Sequence, residues 1–232
     1  MTVFTFHLAK TRIGTTLRAL SGPPTGQKVP GLNHAECMTG MTLGAPILSP
    51  ARLQLRNLVM FAAWESHAAI DEFLANSSLG RALATGWHVR MSLLRRWGHV
   101  REFDGFAESV EAQDPAAPVV AVTLARLKLL QVPRFIRWGK PVEELVRDHP
   151  ATTLALAANR PPRTVSTFSV WSSQQEMLDM VRGHSPVPQA ERHVAAMAER
   201  ERKDFHFEFT TLRFKPIAEY GTWEGRTKIV PS

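Results

Sequence analysis

The chain has 232 residues, of which 44% are hydrophobic and 21% are charged, and its formal net charge is +7. These proportions are typical of a globular protein with one large or two small domains, and no apolar run reaches the roughly 20 residues of a transmembrane helix. The basic residues are dispersed and form none of the common nucleic-acid-binding motifs, so we expect no nucleic-acid partner. The basic surface is also compatible with peripheral contact with a membrane.

The cysteine content and the first residues bear on the cellular compartment. Cys37 is the only cysteine, which excludes an intramolecular disulfide and a thiolate metal cage. The first seven residues lack the basic segment and the cleavage site of a signal peptide. Both features favour a cytoplasmic protein.

The first half of the sequence has the pattern of a β-α-β-β-α-β unit. Breaker-free runs of β-branched and aromatic residues predict strands, and apolar residues at helical spacing predict helices. Ser66 is placed to cap the second helix, in which Ile70 and Phe73 would face inward. In chain order we predict strand 2–9, helix 12–20, strands 32–43 and 53–64, helix 67–84 and strand 87–97.

A linker rich in alanine and proline, residues 111–118, precedes a second unit of the same kind. Its predicted elements are strand 119–129, helix 133–148, strands 152–158 and 164–171, a helix from 174 that is interrupted at 183–188 and resumes over 189–203, and strand 205–215. Both halves therefore have the ferredoxin-like order, with repeats at 1–110 and 119–232.

The two halves are also similar residue by residue, which indicates a duplication. The matching segments are 61–66 with 168–173 at an offset of 107 (168 − 61), 3–10 with 119–126 at 116 (119 − 3), and 88–95 with 206–213 at 118 (206 − 88). The step from 107 to 118 predicts 11 extra residues in the second copy, around His184 and His193. We expect an α+β fold in which two tandem ferredoxin-like units form a pseudo-dimeric α/β barrel. A ligand would lie between a sheet and its helices or between the two sheets.

Two histidines in the extra segment are candidate metal ligands. Ala190, His193, Val194 and Met197 share one helical face, which we expect to be buried. A neutral imidazole there is either a core histidine bonded to a backbone carbonyl or a ligand of haem iron. His184 lies in a loop, where it is either solvated or held over a pocket.

Residues that the repeat matches in both halves are expected to serve the shared fold. On this ground His88 and His206 are discounted as ligands, and Arg95 is matched with Arg213. Arg213 is either a surface residue at a strand end or the partner of an anionic group.

Further candidates lie on one helix and one strand. Phe135 and Trp138 on helix 133–148 are either core residues or the rim of an apolar pocket. His34 and Glu36 share one strand face and Cys37 occupies the other, which is a poor arrangement for zinc. No phosphate-binding glycine loop, nucleophile elbow or His-Glu-x-x-His motif is present.

The C-terminal residues resemble those of spheroidene monooxygenases. The similarity covers about the last 70 residues and rests on Thr167-Phe-Ser-Val-Trp171-Ser-Ser173, on Phe205-His-Phe-Glu208 with Arg213-Phe214, and on Gly221-Thr-Trp223-Glu-Gly225. The sequence departs from that pattern at His206, where the family has an aromatic residue, and at Thr211-Leu212. The resemblance implies the dimeric α/β-barrel fold, a haem cofactor, and O2 as co-substrate in the oxidation of hydrophobic carotenoids.

The resemblance also implies roles for individual residues. His193 would be the axial ligand of haem b iron, with His184 as the second candidate. Arg213 would pair with a haem propionate, and Phe135, Trp138 and Met197 would line the pocket. No catalytic residue can be assigned.

The expected function is that of a haem-dependent monooxygenase or oxidase acting on a hydrophobic small molecule, either carotenoid-like or another secondary metabolite, with an unidentified electron donor. One alternative is a cofactor-free monooxygenase of the same barrel group, in which a histidine acts as base. Another is a non-catalytic module that binds haem or a lipophile. Because the duplication supplies both halves of the barrel, a monomer and a homodimer both fit.

Overall fold

The computed structural model describes residues 2–46, 49–107 and 113–231. Of the predicted linker, Glu111 and Ala112 lie outside the described residues. The elements of the first half are β1 (Val3–Lys10), α1 (Ile13–Ser21), β2 (Leu32–Met41), β3 (Gln54–Trp64), α2 (His67–Asn76), α3 (Ser78–Ala84) and β4 (Trp87–His99). Those of the second half are β5 (Val119–Leu127), α4 (Val132–Asp148), β6 (Thr152–Arg160), β7 (Thr164–Trp171), α5 (Gln174–Arg182), α6 (Arg192–Arg202) and β8 (His206–Gly221).

The strands form one closed antiparallel barrel in the order β1-β3-β2-β6-β7-β5-β8-β4. Each half contributes four neighbouring strands, in the order β4-β1-β3-β2 and β8-β5-β7-β6. Two seams join the halves: β4 pairs with β8 over nearly its whole length, whereas β2 pairs with β6 over residues 39–41. This topology confirms the predicted α+β fold of two ferredoxin-like units in a pseudo-dimeric barrel.

The barrel interior is a packed core to which all eight strands contribute. Side chains of a strand alternate between its two faces, so Phe4 and Phe6 of β1 point inward while Val3 packs under the helices. The rings of Phe6 and Phe168 stack with their centroids 3.8 Å apart and so join the two halves. Burial of each such side chain contributes about 1.5–3 kcal/mol, and these side chains fill the interior.

The helices cover the outer faces of the two half-sheets. In the first half, the helix predicted over 67–84 is in fact two helices, because Ser77 has an extended backbone that ends α2. Its hydroxyl oxygen accepts a hydrogen bond from Gly80 N at 2.7 Å and so caps α3. Gly80 is required there, since a Cβ would lie 1.9 Å from the carbonyl oxygen of Phe73.

In the second half, the predicted interruption between the last two helices is confirmed. The hydroxyl oxygen of Ser173 accepts from Glu176 N at 3.2 Å and caps α5, and Gly183 ends this helix with φ of +75°. Gln189 also has a positive φ, of 65°, which delays the start of α6 to Arg192 rather than 189. No helix within the described ranges is long and apolar enough to cross a membrane.

Candidate functional site

Strand pairing shows which residues of the two halves correspond. Val3 lies opposite Trp64 and Val119 lies opposite Trp171, which confirms the offsets of 116 and 107 (119 − 3 and 171 − 64). His7 pairs with His88 on β4. The corresponding residue on β5, Thr123, pairs with Thr211 on β8.

The fourth strands of the two halves are therefore related by a sequence offset of 123 (211 − 88). The second half carries 16 extra residues (123 − 107) between its third and fourth strands, rather than the predicted 11. The predicted equivalence of His88 with His206 is wrong, and so is that of Arg95 with Arg213. Arg95 and Arg213 are instead cross-strand neighbours on β4 and β8. The reason for discounting His206 as a functional residue is thereby removed.

A cavity of about 950 Å³ lies between the outer face of the second half-sheet and the helices α4, α5 and α6. It occupies one of the two spaces that the sequence predicted, since the barrel interior is filled. Its volume is within the range of about 300–1,000 Å³ that is usual for cofactor and small-molecule sites.

The cavity exists in the second half because large side chains of the first half are replaced there by small ones. In the first half the corresponding layer is packed, and Met60 and His7 are fully buried in it. The equivalent residues on the cavity floor are threonines, with Thr167 for Met60, Thr123 for His7 and Thr211 for His88. The inserted residues then add the loop 183–191 and a longer last helix above this floor.

One stripe of α6 faces the cavity. His193, Ala196, Met197 and Arg200 lie at positions i, i+3, i+4 and i+7 and all line it. Val194, which was predicted to share the buried face, is 46% exposed. The prediction assigned Val194 to the buried face by counting helical spacing from Ala190. That assignment was wrong, because Ala190 lies before the helix, which begins at Arg192.

The ring of His193 is held in one orientation by the end of α5. Its Nδ1 lies 2.9 Å from the carbonyl oxygen of Val181, which is in the last turn of α5 and has no partner within that helix. A carbonyl can only accept, so Nδ1 carries the proton and Nε2 presents its lone pair. No described residue bonds to Nε2. Burial lowers the pKa of His193, and the bond to Val181 opposes this shift in part, so the ring is neutral at pH 7.

The structure brings most of the predicted site residues together. Phe135, Trp138, Met197 and Arg213 line the same cavity as His193. His184 is exposed and is not part of the lining.

His206 also lines the cavity and was missed by the sequence analysis. Its Nδ1 lies 2.8 Å from a carboxylate oxygen of Asp204, while its buried Nε2 has no partner among the described residues. Burial lowers the pKa of His206, and Asp204 opposes this effect. The rings of Phe135 and Phe209 flank the imidazole. The correct strand register removes the ground on which the sequence analysis discounted this residue.

Arginines gather at one side of the cavity. The guanidinium carbons of Arg213 and Arg95 lie 4.2 and 4.4 Å from the ring centroid of Trp97. Burial lowers the pKa of Arg213 to about 10, and repulsion from Arg95 and Arg182 contributes to this shift. None of the three pairs with a carboxylate among the described residues.

The residues around His34 form an ion-pair network at one end of the barrel. Ligand atoms of His34, Glu36 and Glu102 lie within 4.8 Å of one another. Glu36 is 1% exposed, and Arg126 Nη2 donates to it at 3.0 Å. Cys37 belongs to the helix-covered face, as the alternation predicted, and burial raises the pKa of its thiol to about 12.

The chain forms a closed barrel from two β-α-β-β-α-β units, with a cavity under the helices of the second half, and this is the architecture of dimeric α/β-barrel proteins. Sequence comparison leads to a particular relative. The chain is 27% identical over 170 residues to spheroidene monooxygenase of Rubrivivax gelatinosus, an alignment that covers 72% of this chain and 63% of that protein. The chain thus matches less than two thirds of the relative's length. The resemblance predicted from the C-terminal motifs is confirmed.

One similar solved structure supports the fold, and it supports the fold alone. An aldoxime dehydratase in complex with butyraldoxime has a TM-score of 0.58 at 9% identity, and the superposition covers 94% of this chain and 82% of that one. A heme-degrading enzyme from Listeria monocytogenes has a TM-score of 0.30 at 13% identity over 93% of this chain and 99% of that one. No family model matches the chain.

Proposed function

We propose that this protein is a haem-dependent monooxygenase or oxidase whose cofactor lies in the cavity of the second half. The observation that carries the proposal is the geometry of His193. Its Nδ1–H donates to the carbonyl of Val181. Its Nε2 has no partner among the described residues, and the helix face that carries the ring lines the cavity. Metal-bound histidines commonly have this arrangement, in which the second ring nitrogen donates to a carbonyl or a carboxylate. Similarity to spheroidene monooxygenase supports the monooxygenase part of the proposal.

The residues around the cavity fit a haem group. His193 would hold the haem iron through a ring nitrogen, and the hydrogen bond to Val181 would keep its ring from turning. Phe135, Trp138 and Met197 would contact the apolar ring system and exclude water. When bound, haem supplies iron that can bind and activate O2.

We infer a hydrophobic substrate, because most of the cavity lining is apolar. A carotenoid-like molecule and another hydrophobic secondary metabolite both fit this chemistry. The electron donor stays unidentified. A cytoplasmic location, a monomeric or homodimeric state, peripheral contact with a membrane and the lack of a nucleic-acid partner also stay predictions.

A second candidate function rests on His206. Nδ1 of its buried imidazole is hydrogen-bonded to Asp204, and Nε2 has no partner among the described residues, so Nε2 is suited to take a proton from an acidic substrate. This arrangement favours a cofactor-free monooxygenase, in which the deprotonated substrate itself would reduce O2. A non-catalytic haem or lipophile carrier would use the same cavity without turnover.

Absorption spectra of the protein produced with a haem precursor test these alternatives. We expect a Soret band in the wild type that is lost or shifted in His193→Ala. His184→Ala is the matched control, because His184 is exposed and outside the cavity lining, and its spectrum should be unchanged. A band that persists in His193→Ala and disappears in His206→Ala would contradict the assigned ligand. Failure to bind haemin at all would favour the cofactor-free enzyme.

A further inference from the structure

Arg213 of the second half lacks, among the described residues, the carboxylate partner that its counterpart in the first half has. With the fourth strands related by 123 residues, Arg213 on β8 corresponds to Arg90 on β4 (213 − 123 = 90). Arg90 is 5% exposed, and its guanidinium donates to the carboxylate of Asp71 on α2. The first half therefore neutralises this arginine internally.

The second half does not provide the acid. The offset of 107 that relates α2 to α5, set by the caps Ser66 and Ser173, places Leu178 at the position of Asp71 (71 + 107 = 178). Leu178 is partly buried and lines the cavity, as does Arg213. The replacement leaves Arg213 facing the cavity with no carboxylate partner among the described residues.

Two more cations stand beside it. Arg95 lies next to Arg213 across the strand pair, and both guanidinium groups contact the Trp97 ring. Arg182, the last residue of α5, lines the same cavity. None of these three positive charges has a carboxylate partner among the described residues, so they repel each other. A partly buried cation is costly without a counter-charge. Arginine is the usual residue for binding carboxylates in such places, because its planar group donates two parallel hydrogen bonds.

We infer that Arg213, with Arg95 and Arg182, binds a carboxylate of the molecule that occupies the cavity, and that this molecule is an amphipathic acid. Arg95 and Arg182 are exposed, whereas the remaining lining is largely apolar. The acid group would therefore lie at the cavity opening and the apolar body beneath the helices. The carboxylate can come from haem propionates, in which case the inference rests on the proposed function, or from the substrate itself.

Pairs of probes that differ in the carboxylate alone test this inference. Metal-free protoporphyrin IX and its dimethyl ester represent the first source, and cis-parinaric acid and its methyl ester represent the second. Binding is followed by probe fluorescence in the whole 232-residue chain, with and without haem. Because the porphyrin has no iron, its binding does not depend on ligation by His193.

Two variants remove the site in different ways. Arg213→Met deletes the cation, and Leu178→Asp supplies the acid that the first half has at this position. Arg137→Met is the matched control, since Arg137 is exposed on α4 and does not line the cavity. The esters report on folding, because their affinity should be the same within about threefold in every variant.

We expect the wild type to bind at least one acid about tenfold or more tightly than its ester. Both Arg213→Met and Leu178→Asp should abolish this preference, while Arg137→Met retains it. A preference confined to the porphyrin pair assigns the site to haem propionates, and one for parinaric acid in the haem-loaded protein assigns it to the substrate. No acid preference with either pair, or a preference that survives both variants, would overturn the inference.

Discussion

Replacing Thr167 by methionine should close part of the cavity by restoring the residue that the first half has there. Thr167 lies on β7 in the cavity floor and forms no hydrogen bond with its side chain among the described residues. Its counterpart Met60 is fully buried. The Thr167→Met side chain would extend into the cavity that Thr167 lines.

The magnitude follows from burial and side-chain entropy. Full burial of a methionine side chain is worth about 1.5–3 kcal/mol, and ordering this side chain costs up to about 2 kcal/mol. Thr167 loses no polar partner among the described residues, so we expect the ligand-free protein to be stabilised by up to about 1 kcal/mol (about 3 − 2). For a chain of this length, about 1 kcal/mol corresponds to an increase in Tm of about 2–4 °C. Ligand affinity should fall at least about tenfold, because the new side chain occupies the volume that the ligand needs.

Differential scanning fluorimetry and ligand titration of the same preparation measure both effects. The matched control is the reverse exchange, Met60→Thr, in the packed first half. It should cost about 2–4 kcal/mol, because it leaves a void that cannot collapse, and it should leave ligand affinity unchanged. If Thr167→Met lowered the Tm while ligand binding persisted at wild-type strength, this account of how the cavity arises would be refuted.

Other substitutions and conditions test the electrostatics and the helix caps. Burial lowers the pKa of His88 to about 4 from an ordinary 6.5. Between pH 6.5 and 4 the unfolded chain therefore binds a proton at this residue that the folded chain does not bind, and the free energy of unfolding should fall by about 3 kcal/mol. Urea titrations across this range should show a smaller loss for His88→Gln. Glu36→Gln should cost about 3 kcal/mol in urea unfolding because Arg126 and a second arginine lose a buried carboxylate, whereas Glu224→Gln in an exposed ion pair should cost less than about 1 kcal/mol. Ser173→Ala should lower stability by about 1 kcal/mol through loss of the α5 cap, and similar unfolding midpoints for variant and wild type would contradict that role.

The sequence was sufficient to predict the duplicated fold because its strongest signals are local. Trp64 and Trp171 end equivalent strands, and Ser66 and Ser173 cap the helices that follow them. Each signal combines a strand pattern with a helix start, which leaves little freedom in the alignment of the two halves.

The register of the last strand could not be read from the same kind of evidence. An eight-residue segment of alternating character fits its counterpart at several shifts, and here the best match, at 118, differed from the true offset of 123. This error led to the dismissal of His206 and hid the correspondence of Arg213 with Arg90. The phase of α6 was misjudged for a related reason, since Gln189 adopts a positive φ that its residue type does not announce.

The unequal seams of the barrel imply unequal resistance to opening. The β4–β8 seam runs from Trp87 to His99, whereas β2 and β6 are bonded over residues 39–41. In the native state the shorter seam should open locally first. The backbone amides of 39–41 should therefore exchange with solvent deuterium sooner than those of β4. Met41 and Ala157 face each other across this seam and both line the cavity. Transient parting of β2 from β6 would thus give a large, rigid ligand a side entrance to the cavity without any helix having to move.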